Sequence, residues 1–237
     1  MGTRGADGIT TILWDADNTL LDFQYSMRYA LRVCFKSIDR PITEEMIARY
    51  DEINDGYWKR LERGEVEKET LLRARFEDLF REYGIEGVDI ESFRREYQDQ
   101  LGSVYSYIDD SLTICKALQT QVKQYVVTNG VERTQMRKLK MSGLAEVMDG
   151  IFISEKVGAP KPNKAFFDHC LSHVEEKDPD RILIVGDSLT SDIAGGNQAG
   201  IRTCWYNAAG QERQEGCRVD YEISDLHQIY DVLQFFG

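Results

Sequence analysis

Residues 9–22 read ITTILWDADNTLLD, and the reading of this stretch decides the fold. Ile9–Trp14 is a short apolar run rich in β-branched residues, the composition of a strand buried on both faces. It runs directly into Asp15-Ala16-Asp17. Side chains alternate along an extended chain, so Asp15 and Asp17 point the same way with the Ala16 carbonyl between them. Two carboxylates this close, at the mouth of an apolar strand, repel each other and call for a cation or a shared proton.

Outward from this stretch the pattern recurs. Val122–Thr128, Ile151–Ser154, Ile182–Gly186 and Thr203–Tyr206 are further short apolar runs. Between and after them lie the helical stretches Ser111–Leu118, Glu132–Met141, Lys164–Val174 and Ser191–Ala199. Apolar strands alternating with helices predict an α/β fold with a doubly wound, Rossmann-like parallel sheet covered on both faces. Such sheets bind ligands at the carboxyl ends of their strands. One such end carries Thr128-Asn129-Gly130, and another carries Asp187 with Asp192 close behind. Lys161 stands between Pro160 and Pro162, which restrict its backbone. Any one cluster could be a turn or a helix cap, but their joint occurrence at several strand ends points to a site.

Residues 22–104 are different. They hold 14 basic and 19 acidic residues, a higher charge density than the rest of the chain, as expected of helices with one face in water. Met27, Ala30, Leu31, Cys34, Phe35 and Ile38 form one amphipathic stripe. Thr43 is placed to cap a second helix carrying Ile47, Tyr50, Ile53, Tyr57 and Leu61 inward. A third carries Leu72, Phe76, Leu79, Phe80 and Tyr83 and stops at Gly84, and Asp89 caps a fourth. The expected organisation is a core domain from 1–20 and 105–237, interrupted by a helical-bundle insert at 21–104.

Composition narrows the function. The 237 residues carry a net charge of −12, which weighs against polymeric nucleic acid and anionic membranes as partners. No window approaches the ~18 apolar residues of a membrane span. The segment before Asp15 does not read as a secretory leader, because its apolar stretch is short and meets acids. Five widely spaced Cys without a C-x-x-C pair fit neither a disulfide framework nor a zinc knuckle. A cytoplasmic monomer or small homo-oligomer is expected. An acidic chain can still bind a small phosphate compound if positive charge is supplied locally.

The segments DADNTL (15–20), VTNG (127–130), GAPKPNKAFF (158–167) and VGDSLTSDIAGG (185–196) resemble, in order, the four motifs of the haloacid dehalogenase superfamily. The insert lies where that family's C1-type helical cap belongs. Lys-Pro-Asn-Lys at 161–164 and the segment 203–208 are similar to the bacterial pyrimidine, or noncanonical, 5′-nucleotidase branch. The resemblance implies a Mg²⁺-dependent phosphatase acting on a small-molecule phosphate ester, most closely a nucleoside 5′-monophosphate. Asp15 is then the nucleophile that forms an aspartyl-phosphate, and Asp17 the general acid and base. Thr128, the Asn129 N–H and Lys161 would bind the phosphoryl oxygens. Mg²⁺ would be held by Asp15, the carbonyl of Ala16 (or of Asp17, if the register differs by one) and Asp187. Asp192 would support that shell or act through water.

Asp17 sets a phosphatase apart from a dehalogenase, since a leaving halide needs no proton and a leaving alkoxide does. A sugar phosphomutase uses the same residues, and other small phosphoesters or pyrophosphate are alternative substrates. A non-catalytic interaction module would be expected to lack Asp15, Asp17, Lys161 or Asp187, and all four are present. In the insert, Asn54 and Trp58 are candidate substrate contacts, with a base stacked on Trp58, although packing of Tyr57 and Trp58 in the bundle is the favoured reading. His169 and His173 have zinc-like spacing but no third ligand, so structural roles are expected.

Overall fold

The computed structural model describes residues 8–213 and 216–234. The opening residues 1–7, on which part of the reading against a leader rests, lie outside them. In chain order, the first elements are β1 (Thr11–Trp14), α1 (Phe23–Ser37), α2 (Glu44–Glu62), α3 (Lys68–Glu82) and α4 (Ile90–Leu101). Then follow α5 (Ser111–Leu118), β2 (Lys123–Thr128), α6 (Glu132–Met141), β3 (Gly150–Ile153), α7 (Ser154–Val157) and α8 (Lys164–His173). The chain continues through β4 (Ile182–Gly186), α9 (Ala194–Ala199), β5 (Arg202–Tyr206), β6 (Tyr221–Ile223) and α10 (Ile229–Gln234). The described residues divide into two compact units, Phe23–Tyr105 and the sequence on either side of it.

The flanking unit is built on a six-stranded sheet in the order β3-β2-β1-β4-β5-β6, with every pair parallel. The strands are apolar because helices cover both faces, and Ile12, Leu13 and Trp14 of β1 are fully buried. β2 and β4 flank β1, with Trp14 in register with Val126 on one side and Val185 on the other. The chain therefore winds away from β1 in both directions, and the residues just beyond Trp14, Val127 and Gly186 emerge side by side. This is the switch point of a doubly wound sheet, where ligands bind.

Several details differ from the sequence reading, strand bounds shifted by a residue and the unexpected short helix α7 among them. β1 begins at Thr11 rather than Ile9. The helix expected over Ser191–Ala199 is preceded by a π-helical turn, Leu189–Ile193, which continues into α9. The sixth strand, β6, was not expected: it is a three-residue edge strand with an exposed Glu222, too short for a period to register.

In the Phe23–Tyr105 unit, α1 packs on α4 and α2 on α3 around an aromatic centre. Phe76 and Phe80 meet the ring of Phe93 edge-on, with centroids 5.2 and 5.0 Å away. Thr43 Oγ1 accepts the Met46 N–H at 3.2 Å and Asp89 Oδ1 accepts the Glu91 N–H at 3.2 Å, so both helix starts are capped by the expected residues. Among the described residues, no helix is long and apolar enough to cross a membrane.

Candidate active site

Four buried or half-buried groups meet where β1, β2 and β4 end. The Asp15 N–H donates to Val185 O at 2.9 Å, which continues the β1–β4 ladder and fixes the carboxylate's origin. Lys161 Nζ donates to Asp15 Oδ1 at 2.5 Å, to Asp192 Oδ1 at 2.6 Å and to Val127 O at 3.0 Å. All three ammonium protons are thus engaged with protein. Here Lys161 clamps two carboxylates. Its backbone is held by Asn129, whose Nδ2 donates to Lys161 O at 3.0 Å and whose Oδ1 accepts the Lys161 N–H at 2.8 Å. The Asn129 side chain, read in the sequence only as an amide at a strand end, therefore sets the position of the lysine.

Carboxylate oxygens of Asp15, Asp187 and Asp192 all lie within 4.8 Å of one another. Asp192 is buried and also accepts the Ser188 N–H at 3.2 Å. Thr19, fully buried and missed by the sequence reading, accepts the Asp187 N–H at 3.1 Å. Burial pushes the Asp15 carboxyl up to about 7, with Lys161 working against the shift and Asp192 adding to it. Burial and the charges of Asp15 and Asp192 lift Asp187 well above the usual carboxylate range. Burial opposes the charge on Lys161, but Asp15 and Asp192 outweigh it and hold the ammonium above its ordinary value. Three carboxylates face one lysine, so the cluster lacks positive charge. An all-oxygen donor set that wants a further cation fits Mg²⁺.

The two backbone carbonyls expected as alternative donors to such a cation differ in their partners. Ala16 O accepts the N–H groups of Leu20 at 3.1 Å and Leu21 at 2.9 Å, so this carbonyl closes the turn after β1. The Asp17 carbonyl accepts no hydrogen bond among the described residues.

The side chain of Asp17 is furnished quite differently from that of Asp15. Its Oδ1 pairs with Lys138 Nζ at 2.7 Å, and its Oδ2 accepts from Gln135 Nε2. Gln135 Nε2 also donates to Thr128 Oγ1 at 3.0 Å, and Gly130 N–H donates to the same oxygen at 3.0 Å. With two donors on its oxygen, Thr128 keeps its O–H to donate. Gln135 and Lys138 escaped the sequence reading, although a signal was present. They share the buried face of α6 with Thr134 and Leu139, and polar residues on a core-facing stripe are informative.

Asn54 and Trp58 belong to the other unit. Asn54 Oδ1 accepts from Trp58 Nε1 at 3.2 Å and from the buried Arg75 Nη1 at 2.6 Å. Tyr57 donates to Asp78 at 2.7 Å. The bonds of Asn54 to Arg75 and of Tyr57 to Asp78 tie α2 to α3, and the Trp58–Asn54 bond lies within α2. His169 and His173 lie with ring centroids 4.2 Å apart beside Phe152.

A sequence model of the haloacid dehalogenase-like hydrolase family matches residues 9–200. The chain belongs to this family. It is therefore a hydrolase enzyme, with the family's Rossmann-like core. The chain is 37% identical over 223 residues to YfnB of Bacillus subtilis, named as a HAD-hydrolase, covering 94% of each chain. It is 30% identical over 222 residues to the pyrimidine 5′-nucleotidase YjjG of Escherichia coli, covering 94% of this chain and 96% of that protein. The pyrimidine 5′-nucleotidase PynA of Streptococcus pneumoniae is 32% identical over 224 residues, with 94% of each chain covered. A crystal structure of YfnB bound to magnesium superposes with a TM-score of 0.91, covering 95% of this chain and 99% of that one.

Proposed function

We propose that this enzyme is a Mg²⁺-dependent phosphomonoesterase that works through an aspartyl-phosphate, with nucleoside 5′-monophosphates as its substrates. The observation that carries the reading is the unequal furnishing of two carboxylates two residues apart. Asp15 is buried against a lysine, whereas the Asp17 side chain is 28% exposed and held from α6. Such a division separates a nucleophile from an acid and base.

In the first step an Asp15 oxygen attacks phosphorus, and the ester oxygen departs with a proton from Asp17. In the second step Asp17 takes a proton from water, whose oxygen attacks phosphorus, releasing phosphate and restoring Asp15. Thr128 donates its O–H, and Asn129 its backbone N–H, to the phosphoryl oxygens as charge builds. Lys161 holds Asp15 and Asp192 in place and favours the ionised form of Asp15 against the pull of burial. Asp15, the Asp17 carbonyl and Asp187 are the ligands for Mg²⁺, with Asp192 behind them, and the ion supplies the positive charge the cluster lacks. The magnesium bound in the YfnB structure supports the choice of metal. The names of YjjG and PynA support nucleotides as the substrate class. Retention of Asp17 favours a phosphate ester over a haloacid.

The test is a phosphate-release screen over nucleotides, sugar phosphates and pyrophosphate, with Mg²⁺ and with chelator. Phosphate from nucleoside 5′-monophosphates in Mg²⁺ alone is expected. Turnover confined to sugar phosphates would overturn the substrate class, and isomerised sugar phosphate would point to a mutase. Asp15→Asn should reduce release to background while the fold is kept, and near-normal turnover would overturn the covalent route.

A further inference from the structure

We infer that Gln135 and Lys138 of α6 are positioning residues that aim the Asp17 carboxylate and couple it to Thr128. The inference rests on the reading of Asp17 as acid and base.

Stability does not explain these two residues. The Lys138 side chain is 1% exposed, and its ion-pair partner Asp17 is 28% exposed. A buried ammonium loses its hydration, and a partly solvated carboxylate returns little, so an apolar side chain of similar length would serve the fold as well or better. Gln135 is 2% exposed and its Oε1 is buried without a partner. A buried acceptor left so costs ~1–3 kcal/mol. Flipping the amide would bring that oxygen against the Asp17 carboxylate, so the Nε2 contacts hold the unfavourable arrangement in place. Gly130 completes the set: a Cβ there would lie 2.1 Å from Gln135 Nε2, so the chain gives up a side chain to let the amide in. Three unfavourable local choices converge on one carboxylate.

Their geometry suits positioning. Gln135 and Lys138 lie three residues apart, one above the other on a single helix face. Each holds a different oxygen of Asp17, which fixes the plane of the carboxylate. Gln135 divides its two N–H groups between Asp17 and Thr128, so one side chain sets both the proton-transfer group and the direction in which the Thr128 hydroxyl donates.

The experiment compares full-length wild type, Lys138→Met, Gln135→Met and Asp17→Asn on a nucleoside 5′-monophosphate and on p-nitrophenyl phosphate in Mg²⁺. The nucleotide releases an alkoxide that needs a proton, and p-nitrophenolate needs almost none. Lys138→Met and Gln135→Met should lower kcat on both esters, with a loss ~10-fold or more greater on the nucleotide, since a small misplacement of a reacting group costs up to ~100-fold. Lys138→Met should leave KM nearly unchanged, whereas Gln135→Met should also raise KM through Thr128. Melting temperatures at or above wild type are expected for Gln135→Met, which removes the orphaned acceptor. Equal losses on the two esters, or full activity, in either folded variant would overturn the inference while leaving-group dependence in Asp17→Asn upheld the acid. Equal losses in Asp17→Asn would instead overturn the reading of Asp17 itself. Gln135→Met carries the comparison alone if Lys138→Met does not fold.

Discussion

Gly186 has no side chain because Asp192 stands in its place. A Cβ on Gly186 would lie 2.3 Å from the Asp192 carboxylate carbon, so the last residue of β4 makes room for the acid that grips Lys161. Gly186→Ala should push Asp192 off the lysine, lowering stability by ~1–3 kcal/mol, as overpacking does. It should also lower kcat by ~10–100-fold through the displaced Lys161–Asp15 pair. Thermal melts and steady-state kinetics check both, and wild-type kcat would show that Asp192 can shift without consequence. At this scale the sequence disclosed the types and order of Asp15, Asp17, Lys161, Asp187 and Asp192. It did not disclose that Lys161 gives its three protons to Asp15, Asp192 and the Val127 carbonyl, or that the Ala16 carbonyl closes a turn. Both depend on which atoms come within hydrogen-bonding distance of one another, and spacing along the chain does not specify that.

Among elements, those with a periodic buried face were the most legible. The stripe of α1 and the caps of α2 and α4 follow from local rules, and the structure has them where those rules put them. Thr43→Ala removes the acceptor of the Met46 N–H and should cost ~1 kcal/mol. Calorimetry should show the loss in unfolding of the helical unit, while kcat stays near wild type. An unchanged melt would mean that water replaces the cap at no cost. β6 and the π-helical turn before α9 were not legible. Three residues carry no period, and in the turn Ser188 caps the Ser191 N–H while its own N–H donates to Asp192. α6 is the instructive intermediate case. Its boundaries were plain, but Lys138 and Gln135 on its inward face read as ordinary polar residues until their target was known.

At the scale of the whole molecule, the net charge of −12 has a local counterpart in three crowded carboxylates facing one lysine. A cation bound there stabilises the folded state alone, by ~2.7 kcal/mol at a hundredfold excess over its Kd. Mg²⁺ should therefore raise the melting temperature. Asp187→Asn should abolish that rise, and should stabilise the metal-free protein by relieving repulsion among buried acids. A scan in Mg²⁺ and in chelator reads both effects, and an unchanged melt in Mg²⁺ would argue against a cation at this cluster. The sequence by itself determined the α/β class, the inserted helical bundle, the family, and the polar clusters at the strand ends. These follow from hydrophobic period and from residue types in fixed order, which are properties of the chain. Only the tertiary structure decided which partners each carboxylate has, and so why Asp15 and Asp17 differ. Those partners come from α6, from the Asn129–Lys161 clamp and from β4, all distant along the chain, and only the parallel register of β2, β1 and β4 brings them together.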